Sequence, residues 1–287
     1  MYAVSELRTP RSWQVRSHLM EQSKGSAWTD CATVPGNPAV RLRLFCFPYA
    51  GAGASVYRPW WNEIARGVQI CSVQFPGRGS RFNEPRHTRV QPLIQALTDS
   101  LWPLPDVPFA LFGHSMGALL AFEFARELRR RGREPIHLIV SGLPAPQMPS
   151  PSARLHDLPT DDFLTALSAL NGIPEQLIAE PEFLKVMLPT LRDDIELVET
   201  YQYSPEPPLA CRISAYTGRN DPRSPAADLI FWRAQTSAEF SCRIFPGDHF
   251  FIDTARRAVL SAVSVDLLGT LISHQSKGAQ RLSGSAE

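Results

Sequence analysis

The chain lacks what would mark a nucleic-acid binder, a zinc protein or a membrane protein. Its 287 residues carry 29 Lys+Arg against 28 Asp+Glu, a formal net charge of +1. That balance offers no basic footprint for nucleic acid and no sign of a strongly acidic partner. The five cysteines (Cys31, Cys46, Cys71, Cys211, Cys242) are odd in number and include no C-x-x-C pair, so neither a zinc site nor a disulfide framework is expected. Cys46 and Cys71 lie in apolar runs and read as small buried hydrophobes in a reducing compartment. No apolar stretch approaches the length of a membrane span. The N-terminus carries Arg8, Arg11 and Arg16 but no apolar run of the kind a secretory peptide needs. The expectation is a cytoplasmic protein with neither nucleic acid nor membrane among its partners, and with nothing that demands more than a monomer.

What is present is an alternation of short apolar runs and helical patterns, the pattern of a parallel sheet. Strands are expected at Leu42 to Phe47, Val68 to Val73, the run from Phe109, Ile136 to Val140, Arg212 to Tyr216 and Phe240 to Ile244. Helices are expected at Arg89 to Trp102, Ala118 to Leu128, near Ala227 to Gln235, and at Ala255 to Leu271. These elements make one doubly wound α/β domain over residues 38–273. Residues 1–37 are polar and aperiodic and read as a loosely ordered extension; residues 274–287 read as a flexible tail. From 154 to 203 the alternation stops, leaving short helical patterns cut by Pro159, Gly172-Ile173-Pro174, Pro181 and Pro189. A helical insertion of that length is expected to be a lid over the active loops, with a plain structural crossover as the alternative.

Gly113-His114-Ser115-Met116-Gly117 follows the apolar run Pro108 to Phe112 and precedes a helix apolar at helical spacing. A G-x-S-x-G pentad in that setting is a nucleophile elbow, where the serine sits on a sharp turn that bulkier flanking residues would obstruct. A serine hydroxyl needs a base to take its proton, and the base needs an orienting acid. In this arrangement the chain order is serine, acid, histidine. His249 follows the last strand on the turn Pro246-Gly247-Asp248 and is the expected base. His137 lies inside a strand and reads as structural, His156 begins the insertion, His274 lies in the tail, and His114 adjoins the serine. Asp221, in the loop after the preceding strand, is the expected acid; the alternative is that it only shapes a turn before Pro222. Asp253 is the second candidate, and Asp248 is too close in sequence to His249 to orient it easily. The oxyanion hole needs two backbone N–H groups: Met116, after the nucleophile, and Ala50, in the small-residue loop Phe47 to Ala54; the alternative is that this loop is only a flexible turn. These assignments describe a serine hydrolase or acyltransferase without separating ester, thioester and amide substrates.

Five motifs together resemble the type II thioesterases. They are Phe47-Pro48-Tyr49-Ala50-Gly51, Gln74-Phe75-Pro76-Gly77-Arg78, Phe112 to Gly117, Leu188-Pro189-Thr190-Leu191-Arg192-Asp193-Asp194, and Phe245-Pro246-Gly247-Asp248-His249-Phe250-Phe251. The likeness covers about Arg41 to Leu271. Gly51-Ala52-Gly53 departs from the family, which more often has consecutive glycines there. The resemblance implies an α/β-hydrolase fold, a mostly parallel sheet flanked by helices, with Ser115 as nucleophile, Asp221 as acid, His249 as base, and Ala50 and Met116 as oxyanion donors. It implies no cofactor of the enzyme's own and, as partners, the acyl or peptidyl carrier domains of a synthase, whose phosphopantetheine arm bears the substrate. The expected activity is editing of misprimed or stalled polyketide and nonribosomal peptide modules. Alternatives are a medium-chain fatty acyl thioesterase, a small-molecule esterase, and a non-catalytic module on the same fold.

Overall fold

Strand segments that are apolar on both faces can be satisfied only between two layers of helix, and that is the arrangement found. The computed structural model describes residues 26–32, 40–104, 106–149, 154–169 and 181–284. The strands are β1 (Thr29–Cys31), β2 (Leu42–Phe47), β3 (Val68–Val73), β4 (Phe109–His114), β5 (His137–Ser141), β6 (Arg212–Gly218) and β7 (Phe240–Phe245), in the order β1-β3-β2-β4-β5-β6-β7. All neighbours are parallel except β1, which runs antiparallel to β3. The helices are α1 (Val90–Leu101), α2 (Met116–Arg130), α3 (Thr160–Ala169), α4 (Pro181–Glu199), the single turn α5 (Phe251–Thr254) and α6 (Arg256–Gly284). A 3₁₀ helix spans Ala226–Gln235 between β6 and β7.

Alternation along the strands divides the core. Phe45 and Phe47 of β2 pack with Leu97 of α1 and with Leu120 and Phe124 of α2. Leu42, Leu44 and Cys46 turn to the other face, against Trp60 and against Val259, Val263 and Leu267 of α6, as a two-residue period requires. Each fully buried large apolar side chain contributes on the order of 2 kcal/mol by removal from water. The register pairs Phe47 with Gly113, His114 with Ser141, and Gly218 with Phe245. The loops after these strands therefore open at one edge. The chain passes from β2 outward to β3 and then returns to place β4 on the other side of β2. That reversal leaves a crevice between the loop after β2 and the residue after β4, the place where ligands bind in open α/β sheets.

Several expectations change. Residues 26–32 belong to the fold, because β1 pairs with β3; residues 1–25 and 33–39 lie outside the described residues. Cys31 and Cys71, 40 residues apart, are register partners across that pair with Cα atoms 4.0 Å apart and form a disulfide. Cys71 is therefore not the free thiol expected, and Cys46, Cys211 and Cys242 are free. The closing helix does not stop at Leu271: α6 runs to Gly284 and takes in most of the expected tail. Over Arg256–Ser276 its length and mean hydropathy of 1.2 reach those of a membrane-crossing segment, contrary to the expectation that no stretch does. In this fold Val259, Val263 and Leu267 of that helix are packed against the sheet. In the insertion, Leu155–Asp157, α3 and α4 are helical, and residues 170–180, with the Gly172-Ile173-Pro174 break, lie outside the described residues. Pro189 does not cut its helix but lies inside α4. It sits on the exposed face beside exposed Lys185, where the carbonyl it leaves without a donor can be met by water.

Backbone packs closely against backbone where α2 meets the sheet. A Cβ on Gly117 would stand 2.0 Å from the carbonyl oxygen of Phe47, and one on Gly113 would stand 2.0 Å from that of Gly117. Backbone atoms on both sides leave no flexible group to yield. Gly117→Ala is expected to cost about 3 kcal/mol or more, the upper end for overpacking. Denaturant unfolding measures it; a variant within about 1 kcal/mol of wild type would contradict this packing.

Candidate active site

The elbow forms because β4 ends under α2 with no room for a gradual turn. Ser115 has φ 54° and ψ −122°, the only positive φ outside glycine among the described residues. A conformation of this kind costs roughly 1–3 kcal/mol. Part of the offset is the short hydrogen bond from Ser115 N–H to Ser141 O, 2.7 Å, which ties the elbow to the end of β5. The Ser115 carbonyl accepts from Ala118 N–H at 2.8 Å and starts α2, so the positive end of that helix dipole lies at the serine. Ser115 is 6% exposed. Among the described residues its hydroxyl has no hydrogen-bond partner.

His249 and Asp221 reach the same edge on two loops pressed together. A Cβ on Gly218 would stand 2.1 Å from the carbonyl of Asp248, and Asn220 N–H donates to Gly247 O at 3.0 Å. His249 Nδ1 lies 2.9 Å from Asp221 Oδ2. Asp221 Oδ1 accepts from Arg223 N–H at 2.9 Å, so both carboxylate oxygens are held. An ionised carboxylate only accepts, so Nδ1 carries the proton and Nε2 is left as the acceptor. Burial pushes the His249 imidazole below its ordinary value; the Asp221 hydrogen bond opposes this, the Arg223 charge adds to it, and the charges of Asp221 and Asp248 oppose it.

The other candidates stand elsewhere. Asp248 Oδ1 caps Phe250 N–H at 3.0 Å. Asp253, on α5, makes no hydrogen bond to His249; its own carboxyl is raised by burial, and its charge helps raise the Tyr49 phenol. His137 hydrogen-bonds Thr270 at 2.8 Å and Ser214 at 2.9 Å inside the sheet, and burial takes it down to about 4. His114 is fully buried, 2.9 Å from the Ser141 hydroxyl, with its ring 5.0 Å from that of His249. Tyr49 and Phe250 close an aromatic wall beside these rings.

Ala50 lies in the turn Tyr49–Ala52, closed by Ala52 N–H to Tyr49 O at 3.0 Å. Among the described residues, neither the Ala50 nor the Met116 N–H has an acceptor. A cavity of about 980 Å³ adjoins this turn, bounded by Tyr49, Gly51, Gln74, Arg78 and, from α4, Val186 and Met187; Ser115, Asp221 and His249 do not line it. Three side chains near the turn, Gln74, Arg78 and Asp194, carry no catalytic pattern in the sequence. Their only signal was membership of two of the five motifs. Among the described residues no group of three His, Cys, Asp or Glu could hold a metal ion.

The strand order, the serine elbow after β4 and the paired loops after β6 and β7 put this chain among the α/β-hydrolases. Within that class it belongs to the thioesterase family: residues 42–267 match the thioesterase domain. It is 42% identical over 217 residues to the gramicidin S biosynthesis protein GrsT of Aneurinibacillus migulanus, covering 75% of this chain and 85% of GrsT. RedJ, the thioesterase of the prodiginine biosynthetic pathway in Streptomyces coelicolor, is 36% identical with a TM-score of 0.75, covering 82% of this chain and 95% of RedJ. BorB, the type II thioesterase from the borrelidin biosynthetic cluster, is 33% identical with a TM-score of 0.75, covering 85% of this chain and 97% of BorB. The chain is thus a hydrolase of thioesters.

Titration of His249 by NMR is expected to show a midpoint below about 6.5, the unperturbed value, because burial disfavours the charged ring. Asp221→Asn removes a carboxylate that favours protonation and is expected to lower the midpoint further. The unfolded imidazole binds its proton at higher pH than the native one, so this group lowers stability as pH falls through about 6.5 and costs nothing above it. A native midpoint above that value would contradict the burial argument.

Proposed function

We propose that the protein is a stand-alone type II thioesterase. It hydrolyses acyl and aminoacyl thioesters on the phosphopantetheine arm of acyl and peptidyl carrier domains, and so clears misprimed or stalled polyketide and nonribosomal peptide modules. The observation that carries this reading is the likeness to BorB, which extends over 97% of that type II thioesterase. The Asp221–His249 contact of 2.9 Å at the edge that bears the elbow supports the catalytic part.

In this reading Ser115 Oγ attacks the thioester carbonyl carbon while His249 Nε2 takes its proton. Negative charge gathers on the carbonyl oxygen, where the Ala50 and Met116 N–H groups receive it; such donors are worth about 3 kcal/mol each. Asp221 stabilises the imidazolium and holds its tautomer. Collapse breaks the carbon–sulfur bond, and the pantetheine thiol leaves with the proton from His249. Water then enters, gives a proton to His249 and attacks the acyl-serine carbonyl; the free acid departs and Ser115 recovers its proton. Only water is consumed, so the chemistry asks for no cofactor. The insertion is read as a lid over the site, and Val186 and Met187 of α4 bound the cavity of about 980 Å³ beside the Tyr49–Ala52 turn.

Hydrolysis of acyl-carrier protein, acyl-CoA and nitrophenyl esters tests the substrate class. Carrier thioesters are expected to be cleaved, and robust ester turnover with inert carrier thioesters would sink the reading. Preferential release of medium-chain acids would replace editing with chain release. Ser115→Ala is expected to lower the rate on the order of 10⁶-fold, with His249→Ala almost as severe. Asp221→Asn is expected to cost about 10⁴-fold, with Asp253→Asn near wild type; the reverse ranking would move the acid to Asp253.

A further inference from the structure

The turn that carries the Ala50 amide is gripped from outside by the helical insertion. Gly51, the next residue, has φ 76°, and its N–H donates to Asp194 Oδ2 on α4 at 2.7 Å. The same carboxylate receives both ends of the Arg78 guanidinium, Nη1 to Oδ2 at 2.6 Å and Nη2 to Oδ1 at 2.7 Å. Arg78 Nη1 also donates to Ala52 O at 3.2 Å. The two charged side chains are 5% and 3% exposed. One buried ion pair therefore joins the loop after β2, the loop after β3 and the insertion.

Its effect on the turn is directional. In a four-residue turn the central peptide, here Ala50 C=O and Gly51 N–H, can face either way, and a positive φ at the third residue corresponds to one of the two. A carboxylate against the Gly51 N–H selects that orientation, since the flipped peptide would turn the Ala50 carbonyl toward a negative charge. The Arg78 bond to Ala52 O fixes the residue that follows. With its second peptide and its last residue held, the turn has little freedom to shift its first peptide, which carries the Ala50 N–H.

We propose that Asp194 is a positioning residue for the oxyanion hole, acting through Gly51 and held in register by Arg78. The proposal rests on the reading of Ala50 as an oxyanion donor. It also makes the C-terminal half of α4 a fixed buttress of the site.

The test compares wild type, Asp194→Asn and the double variant Arg78→Met/Asp194→Leu in three measurements. These are kcat and KM on an acyl-carrier protein, the rate of Ser115 phosphonylation by a fluorophosphonate probe, and Tm. Replacing a buried ion pair with apolar residues of similar volume often keeps or raises stability. The double variant is therefore expected to regain wild-type Tm while the Gly51 N–H stays without its carboxylate. Asp194→Asn and the double variant are both expected to lose roughly tenfold to a hundredfold in kcat and in phosphonylation rate, the scale of an ångström-level misplacement, with KM little changed. Rates that recover with Tm in the double variant, rates that never fell, or failure of both variants to fold would each overturn the proposal and leave the pair structural. A wild type inert to both carrier thioester and probe would instead remove the underlying acyl-enzyme reading.

Discussion

Most of what this molecule can do follows from the absence of two methyl groups. Gly117 brings α2 against the end of β2, with the Phe47 carbonyl at 2.0 Å from where a Cβ would stand, and Gly113 gives the same clearance on the strand side. That approach leaves the chain no gradual path from β4 into α2, and Ser115 takes the strain at φ 54°. Its side chain is thereby brought to the sheet edge, at a helix N-terminus, next to the crevice opened by the reversal of strand order. The Phe47 carbonyl also accepts from the buried Tyr57 hydroxyl at 2.7 Å. The end of β2 is thus fixed just before the turn that carries Ala50.

The rest of the site is assembled from loops that bear on one another. Gly218 lets the loop after β6 lie against the loop after β7, which delivers Asp221 to His249. The turn at Tyr49–Ala52 is braced from the β3 side by Gln74, whose Oε1 accepts from Ala54 N–H at 3.0 Å. The insertion braces it through Asp194. Further ties from the loop after β3 to α4, such as the Thr190 hydroxyl to Gly77 O at 3.1 Å, make that part of the insertion a wall of the site. Burial disfavours the charged form of the His249 imidazole, and a general base works from the neutral form.

Much of this was legible in the chain. β2 and β3 begin and end where the apolar runs do, because strands buried on both faces are written as continuous hydrophobic stretches. Chain order and loop position point to Asp221 and His249, and these two lie within hydrogen-bond distance. Other features depend on partners that sequence spacing does not name. β1 is three residues long, and its pairing with β3, like the Cys31–Cys71 bond it permits, is set by register rather than by pattern. The end of α6 is written in Ser, Gly and Gln, which read as a tail without the helix that precedes them. Pro189 reads as a break because sequence spacing does not show that its position faces solvent. Asp194 lies 143 residues from Gly51, and nothing local in either segment announces the contact.

If Ser115 is the nucleophile, hydrolysis passes through an acyl group carried on its hydroxyl. Rapid quenching of the wild-type protein with an acyl-carrier protein substrate, followed by peptide mass mapping, tests it most directly. The expected result is an acyl adduct on the peptide bearing Ser115 that forms and decays in step with release of the free acid. Turnover with the adduct on another residue, or turnover that persists at full rate in Ser115→Ala, would contradict it.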